Sequence, residues 1–263
     1  MDLGLRGKVA LVAASSKGLG RAVAEELALE GAHLVMCARG KEALGQTAES
    51  IRQRSAVKVV DVAADVSDPK DAARVVEAAF EEFGQVDILI TNSGGPPSGP
   101  FESLTSDMWD AATRLLLKSA VELTRAVLPG MKERRWGRIL NVTSIAAKQP
   151  IEGLMLSNSL RAAVIGFART LATEVAPFGV TVNNLLPGYT RTDRVEELAR
   201  AAGSKPGTSN TDIVAKWEKE IPMRRLGEPR EFAALAAFLA SERASYITGS
   251  SIAVDGGWIR SLL

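Results

Sequence analysis

Cysteine and histidine are nearly absent from this 263-residue chain: Cys37 and His33 are the only ones. A single cysteine excludes an internal disulfide and any cysteine-based zinc site. A single histidine rules out a multi-histidine metal site and argues against a Ser-His-Asp triad, so the expected chemistry is metal-free. Charge of one sign is also missing. The 32 Lys and Arg offset 31 Asp and Glu, leaving a net charge of +1, so nothing points to a nucleic-acid partner or an anionic membrane surface. No apolar run approaches the roughly 20 residues of a membrane span, and the opening MDLGLRGK lacks the apolar core of a signal peptide. The expectation is a cytoplasmic protein with no membrane partner.

Apolar residues make up 46% and charged residues 24% of the chain, an ordinary globular balance. Short apolar runs alternate with helical patterns throughout. Strands are expected at 9–13, 33–38, 57–63, 86–91, 138–143, 180–186 and 251–254. Helices are expected after the first turn up to Gly31, and at 42–54, 68–83, 105–133, 156–176 and 229–240. A polar stretch at 189–221 carries two short helical patterns. Strict alternation with apolar strands predicts one α/β domain, a seven-stranded parallel sheet with helices on both faces. Ligands of such sheets sit outside the carboxyl ends of the strands. The helices near 105–133 and 156–176 are apolar on more than one face, through Leu115, Leu116, Leu117, Val121, Leu123 and Val127 in the first, which predicts a homodimer or homotetramer built on them.

The stretch from Val9 to Gly31 organises the rest. A buried-type strand leads into the polar turn Ala14, Ser15, Ser16, Lys17, Gly18, Leu19, Gly20, and a helix follows. A glycine-rich turn in that place aims free backbone N–H groups and the positive end of the helix dipole at one spot, which suits a phosphate.

Six motifs then occur in order: this turn, Ala64-Asp65-Val66, Asn92-Ser93-Gly94-Gly95, Asn141-Val142-Thr143-Ser144, Pro187-Gly188, and Arg225-Leu226-Gly227-Glu228-Pro229 through Val254-Asp255-Gly256-Gly257. Together they resemble the short-chain dehydrogenase/reductase family over essentially the whole chain, and the tail is similar to that of reductases acting on 3-oxoacyl thioesters. The resemblance implies a Rossmann-type doubly wound sheet, a nicotinamide cofactor and a small carbonyl or alcohol substrate. Ala14, Ser16, Lys17, Gly18, Leu19 and Gly20 then cradle the pyrophosphate. The acid that NAD-binding members hold after strand two is missing at Cys37-Ala38-Arg39. Arg39 and Lys17 instead offer two cations to a 2′-phosphate, so NADP(H) is expected over NAD(H). Asp65 and Val66 belong to the adenine end and Asn92, Ser93 and Gly94 to the nicotinamide end, while Thr190 or Thr192, following the cofactor-binding Pro187 and Gly188, bonds the carboxamide. The family's first glycine is Ala14 here, a methyl tolerable only where the backbone keeps negative φ.

The family's catalytic pattern is Y-x-x-x-K on one helix face, with a serine on strand five and an asparagine on the long helix. Counting from Ala162-Ala163-Val164 puts Arg161 at the lysine, Ser157 at the tyrosine and Ser144 at the serine; Leu116 falls at the asparagine. The resemblance thus implies a degenerate tetrad. A serine is a shorter and weaker acid than a phenol, and Arg161 can clamp ribose hydroxyls but cannot accept a proton. Tyr189, just after Pro187-Gly188, is either a substitute proton donor or an aromatic cover over the nicotinamide. A lid is expected at about 189–222, locally basic and rich in small polar residues around 203–211. Two functions stay open: an NADP(H)-dependent oxidoreductase using Ser144, Ser157, Arg161 and Tyr189, or a lapsed relative that binds NADP(H) as a sensor or scaffold.

Overall fold

The structure is a computed structural model that describes residues 2–202 and 210–262. The composition-based expectation for 203–209 lies outside the described residues. Seven strands form one sheet in the order β3-β2-β1-β4-β5-β6-β7, with every neighbouring pair parallel. They are β1 (Val9–Ala13), β2 (His33–Ala38), β3 (Val59–Ala63), β4 (Ile88–Thr91), β5 (Gly137–Val142), β6 (Val180–Pro187) and β7 (Ser251–Val254). This is the doubly wound sheet that the alternation predicts. The order reverses between β1 and β4, so the loops leaving these two strands diverge and open a crevice at their carboxyl ends.

Two apolar cores flank the sheet. On one face, α1 (Gly18–Leu29), α2 (Lys41–Arg54) and α9 (Pro229–Leu239) bury Val23, Leu27, Leu44, Ile51 and Phe232 against alternate strand residues such as Val12 and Leu34. The other face carries α3 (Pro69–Phe83), α5 (Ser119–Glu133) and α6 (Met155–Val175), with Val75, Leu123, Val127 and Ala168 packed on Leu11, Val35 and Ile139. Because both faces are covered, the strands read as continuous apolar runs.

The local signals explain the element ends. Asp68 caps α3 by accepting from the Lys70 amide at 2.8 Å, with Pro69 in the first turn. Gly31, at φ +88°, closes α1: its amide donates to Ala28, and the Ala32 amide reaches back to Leu27. Three expectations need correction. The strands expected from 57 and 86 begin at Val59 and Ile88. The helix expected as one piece over 105–133 is α4 (Ser106–Thr113) and α5 joined by a π-helical turn, Arg114–Lys118. Of the apolar residues that suggested burial on two sides, Leu116, Leu123 and Val127 are spent in the chain's own core. The polar stretch after β6 holds its two helices as expected, α7 (Asp193–Ala202) and α8 (Asn210–Glu220).

Candidate active site

The turn between β1 and α1 forms the head of the crevice. Lys17 stands at the N-cap in extended backbone and makes no side-chain cap bond, so the first amides of α1 have no side-chain cap. Gly20 is required by close approach: a Cβ there would run into the Ala14 carbonyl and come within 2.9 Å of Asn92 Nδ2. The turn is anchored from behind. The Ser15 amide and hydroxyl both donate to the Cys37 carbonyl, at 3.1 and 3.4 Å, and Thr47 Oγ1 donates to the Ser16 carbonyl at 2.9 Å. Ala14 departs from expectation. Its φ is +50°, the left-handed region, so the methyl sits on a backbone that favours glycine.

At the edge of this turn, the Lys17 ammonium pairs with Asp193 of α7 at 2.7 Å. Both are exposed. The pairing raises the Lys17 pKa and lowers that of Asp193, while Arg39 opposes the Lys17 shift with its own positive charge. Arg39 follows β2 and extends toward Gly94, its Nη2 4.0 Å from where a Gly94 Cβ would stand. The structure therefore brings two cations to one corner. Asp65 turns one carboxylate oxygen to the Ser67 amide and hydroxyl, at 2.9 and 2.8 Å, and Val66 is buried under the loop.

The far end of the crevice is built by β4, β5 and α6. Thr91, Asn92, Ser93, Leu116, Val142, Thr143 and Arg161 line one small cleft there. Ser157 and Arg161, one turn apart on α6, share a face: Arg161 Nε donates to Ser157 Oγ at 3.2 Å. Arg161 Nη1 donates to the carbonyls of Val142 and Thr143, at 3.0 and 2.8 Å, which pins the guanidinium to the end of β5. Burial, with the charge of Arg194 second, pushes the Arg161 pKa down to about 10. Ser144 Oγ accepts from the Ala146 amide at 3.1 Å and keeps its hydroxyl proton for another acceptor. Leu116 lies in the π turn, packed with Ala112, Leu156 and Leu160. π turns recur at functional sites, and here the distortion holds an apolar side chain against the cleft.

The segment after β6 closes the front. Gly188 is held by its amide to the Val254 carbonyl at 3.0 Å, where a Cβ would collide with Asp255. Thr190 is buried and Thr192 packs near Gly18. Tyr189 stacks on Trp217 of α8 at 4.4 Å and meets Trp258 edge-on at 5.9 Å. Burial pushes its phenol up to about 12, and no hydrogen bond joins it to Ser144, Ser157 or Arg161 among the described residues. Asp193 and Arg194 are the residues sequence reasoning missed, leaving them inside the locally basic segment at about 189–222. Their signal was position: they open a helix directly after Thr192, and there Asp193 reaches Lys17 and Arg194 reaches the Pro96 carbonyl.

Comparison with known proteins places this geometry. A family profile described as Enoyl-(Acyl carrier protein) reductase matches residues 13–259. The 3-oxoacyl-[acyl-carrier-protein] reductase FabG of Vibrio cholerae is 37% identical over 259 residues, covering 97% of this chain and 98% of that protein. Human dehydrogenase/reductase SDR family member 4 is 35% identical, covering 96% and 88%. Among solved structures, L-sorbose reductase from Gluconobacter frateurii, complexed with NADPH and L-sorbose, superposes with a TM-score of 0.95 at 37% identity, covering all of both chains. With its crevice at the β1/β4 reversal and a profile match spanning nearly its whole length, the chain belongs to the short-chain dehydrogenase/reductase family of NAD(P)-dependent oxidoreductases.

Proposed function

We propose that this chain is an NADP(H)-dependent oxidoreductase that moves a hydride between nicotinamide and a carbonyl or alcohol carbon, through a catalytic set in which Ser157 and Arg161 replace the family's tyrosine and lysine. One observation carries the cofactor half. The turn after β1 combines an uncapped helix start, a glycine whose Cβ would strike the Ala14 carbonyl, and the cations Lys17 and Arg39 at its edge, with no acid after β2. This donor set fits a dinucleotide carrying an extra phosphate. Ala14, Ser16, Gly18, Leu19 and Gly20 hold the pyrophosphate, and Lys17 and Arg39 the 2′-phosphate. Asp65 and Val66 border the adenine, Asn92, Ser93 and Gly94 the nicotinamide, and Pro187, Gly188, Thr190 and Thr192 its carboxamide. L-sorbose reductase is described in complex with NADPH, which supports the same preference here.

The bound cofactor supplies the hydride. The protein's part is to orient the substrate oxygen and manage one proton. Ser157 accepts from Arg161 Nε, so its own O–H is directed to a substrate oxygen, and Ser144 offers a second O–H. Arg161, with a pKa of about 10, stays cationic at neutral pH and stabilises negative charge developing on that oxygen. The proton comes from solvent, since neither serine nor a neutral Tyr189 is a strong acid. A positioned general acid contributes about 10²–10⁴-fold, so turnover is slower than with a tyrosine. Tyr189 serves as an aromatic cover.

The segment at about 189–222 is the lid, joined to one wall by Lys17–Asp193 and to the other by the bond from Arg194 to the Pro96 carbonyl. A homodimer or homotetramer would be built on the helices near 105–133 and 156–176, and on α6 the small residues Ala162, Ala163 and Gly166 are exposed. The single buried cysteine agrees with a cytoplasmic setting. The altered tetrad also favours a second reading, a lapsed relative that only binds NADP(H). The test is fluorescence titration of both cofactors followed by NADPH oxidation with a ketone panel. Arg39→Asp should weaken NADPH about tenfold or more beyond its effect on NADH. Equal weakening removes the phosphate assignment, and tight NADPH binding without turnover of any carbonyl selects the second reading.

A further inference from the structure

The first turn of α7 is tied to both walls of the crevice by consecutive side chains. Asp193 accepts from Lys17 Nζ at 2.7 Å, a bond between residues 176 positions apart that reaches the β1–α1 turn. Arg194 donates through Nη2 to the Pro96 carbonyl at 3.1 Å, in the loop after β4. Thr192, just before them, packs its methyl group 3.5 Å from where a Gly18 Cβ would stand. The body of the helix is anchored separately, through Val195, which is buried with Ile221 and Leu226.

The two ties differ in what can undo them. The tie to Pro96 ends on a backbone carbonyl, which carries no net charge for a ligand to compete with. The tie to Lys17 ends on one of the two cations assigned to the 2′-phosphate. Both of its side chains are mostly exposed, at 65% and 60%, and an ion pair in that setting is weak and easily exchanged. A phosphate monoester carries close to two negative charges at neutral pH, against one on Asp193. It is the stronger partner for a compact ammonium, and it repels a carboxylate left beside it. NADH has a neutral hydroxyl in place of that phosphate and leaves the pair alone.

We propose that Asp193 makes α7 responsive to which nicotinamide cofactor is bound: Lys17 leaves Asp193 for the 2′-phosphate of NADP(H), freeing that end of the first turn, whereas with NAD(H) the turn stays tied at both ends. This rests on the cofactor reading above. Asp193 is then a specificity-determining residue that acts through Lys17. It works against the phosphorylated cofactor, because part of the attraction between Lys17 and the phosphate goes into replacing the carboxylate. No covalent bond changes; the ammonium exchanges one anion for another, and Asp193 turns to solvent.

The test titrates NADPH and NADH, by fluorescence at low ionic strength, into wild type, Asp193→Asn, Lys17→Gln and the double variant. Asp193→Asn should tighten NADPH about 2–5-fold, the range of an exposed ion pair, and change NADH less than about 1.5-fold. In the Lys17→Gln background the same substitution should leave the ratio of NADPH to NADH affinity unchanged. Hydrogen exchange supplies a readout apart from affinity. The Val195 and Glu196 amides donate to the Thr192 carbonyl at 3.0 and 3.2 Å, so they report whether the turn is held. They should exchange at least about threefold faster in the NADPH complex than in the NADH complex of wild type, and equally fast in both complexes of Asp193→Asn. Unchanged or weaker NADPH binding by Asp193→Asn overturns the exchange, the weaker case making the acid a positioning group for Lys17. So does a gain that persists with Lys17→Gln, which is simple repulsion of the phosphate, or equal protection of the turn by both cofactors in wild type. Those results leave the cofactor reading standing. That reading falls separately, if neither cofactor binds or if Arg39→Asp weakens both equally, and the exchange falls with it.

Discussion

Ala14 carries a methyl group on a backbone bent to φ +50° at the point where the first strand hands over to the phosphate-cradling turn. A Cβ in the left-handed region meets its own carbonyl and costs on the order of 1–2 kcal/mol. The same residue's carbonyl is what Gly20 packs against, so the strain cannot relax by moving the turn. Ala14→Gly should stabilise the protein by about 1 kcal/mol, a rise of about 2–4 °C in Tm for a chain of this size, and tighten NADPH. A thermal melt with and without NADPH measures both; an unchanged or lower melting temperature would mean that the turn is already relaxed. The methyl was legible in the sequence as a departure, but its sign was not, because φ at one position depends on how the turn docks on Gly20. Arg161 shows the same division. Its place one turn after Ser157 followed from spacing, whereas its three bonds to β5 and Ser157 depend on how α6 lies across the sheet.

Helix α9 shows how an element can be pinned by its first turn. Glu228 and Glu231 form a reciprocal capping box on either side of Pro229, and Arg225 grips Glu231 through both oxygens at 2.8 and 2.6 Å. The Arg225 guanidinium, then the Glu228 amide, hold the Glu231 carboxyl down at about 2. A folded pKa below the unfolded value stabilises at neutral pH and is lost as pH falls from about 4.5 toward 2. Glu231→Gln should therefore lower Tm at pH 7, and the gap to wild type should close as melts are repeated down to pH 2; a constant gap would mean that the carboxylate charge is not what matters. The consequence reaches α1, because Phe232, Ala233 and Ala236 pack in the same core as Val23 and Leu27. Most elements could be read from the chain: apolar runs marked the strands, and Asp68-Pro69 and Gly31 marked helix ends. The π turn at Arg114–Lys118 could not, since it widens the backbone by one residue without disturbing the run of leucines that suggested one helix. Nor could the direction of Arg194, which depends on α7 docking over the Gly95–Pro96 loop.

At the scale of the whole molecule, one continuous line of hydrogen-bonded polar side chains runs across the sheet from β4 to β7. Thr91 Oγ1 donates to Asn141 Oδ1 at 2.7 Å, Asn141 Nδ2 to Asn184 Oδ1 at 3.1 Å, and Asn184 Nδ2 to Ser251 Oγ at 3.0 Å. These four residues are direct register partners on β4, β5, β6 and β7, and the two asparagines are fully or almost fully buried. Asn184→Ala would strand the Asn141 amide and the Ser251 hydroxyl, costing about 2–4 kcal/mol for the two unpaired groups and the cavity. Urea unfolding measures it, and a loss under about 1 kcal/mol would show that solvent or rearrangement repairs the gap. Strands made of Val, Ile and Leu on both faces fit their neighbours almost equally well after a slip of two residues, which returns every side chain to the same face. Such a slip of β5 would set Ile139 opposite Thr91 and leave the Asn141 amide and the Asn184 Oδ1 without partners. The four polar residues thus act as a key for assembly: they let a greasy, interchangeable set of strands close in only one alignment, the one that delivers Asn92, Ser144 and Gly188 to the same crevice.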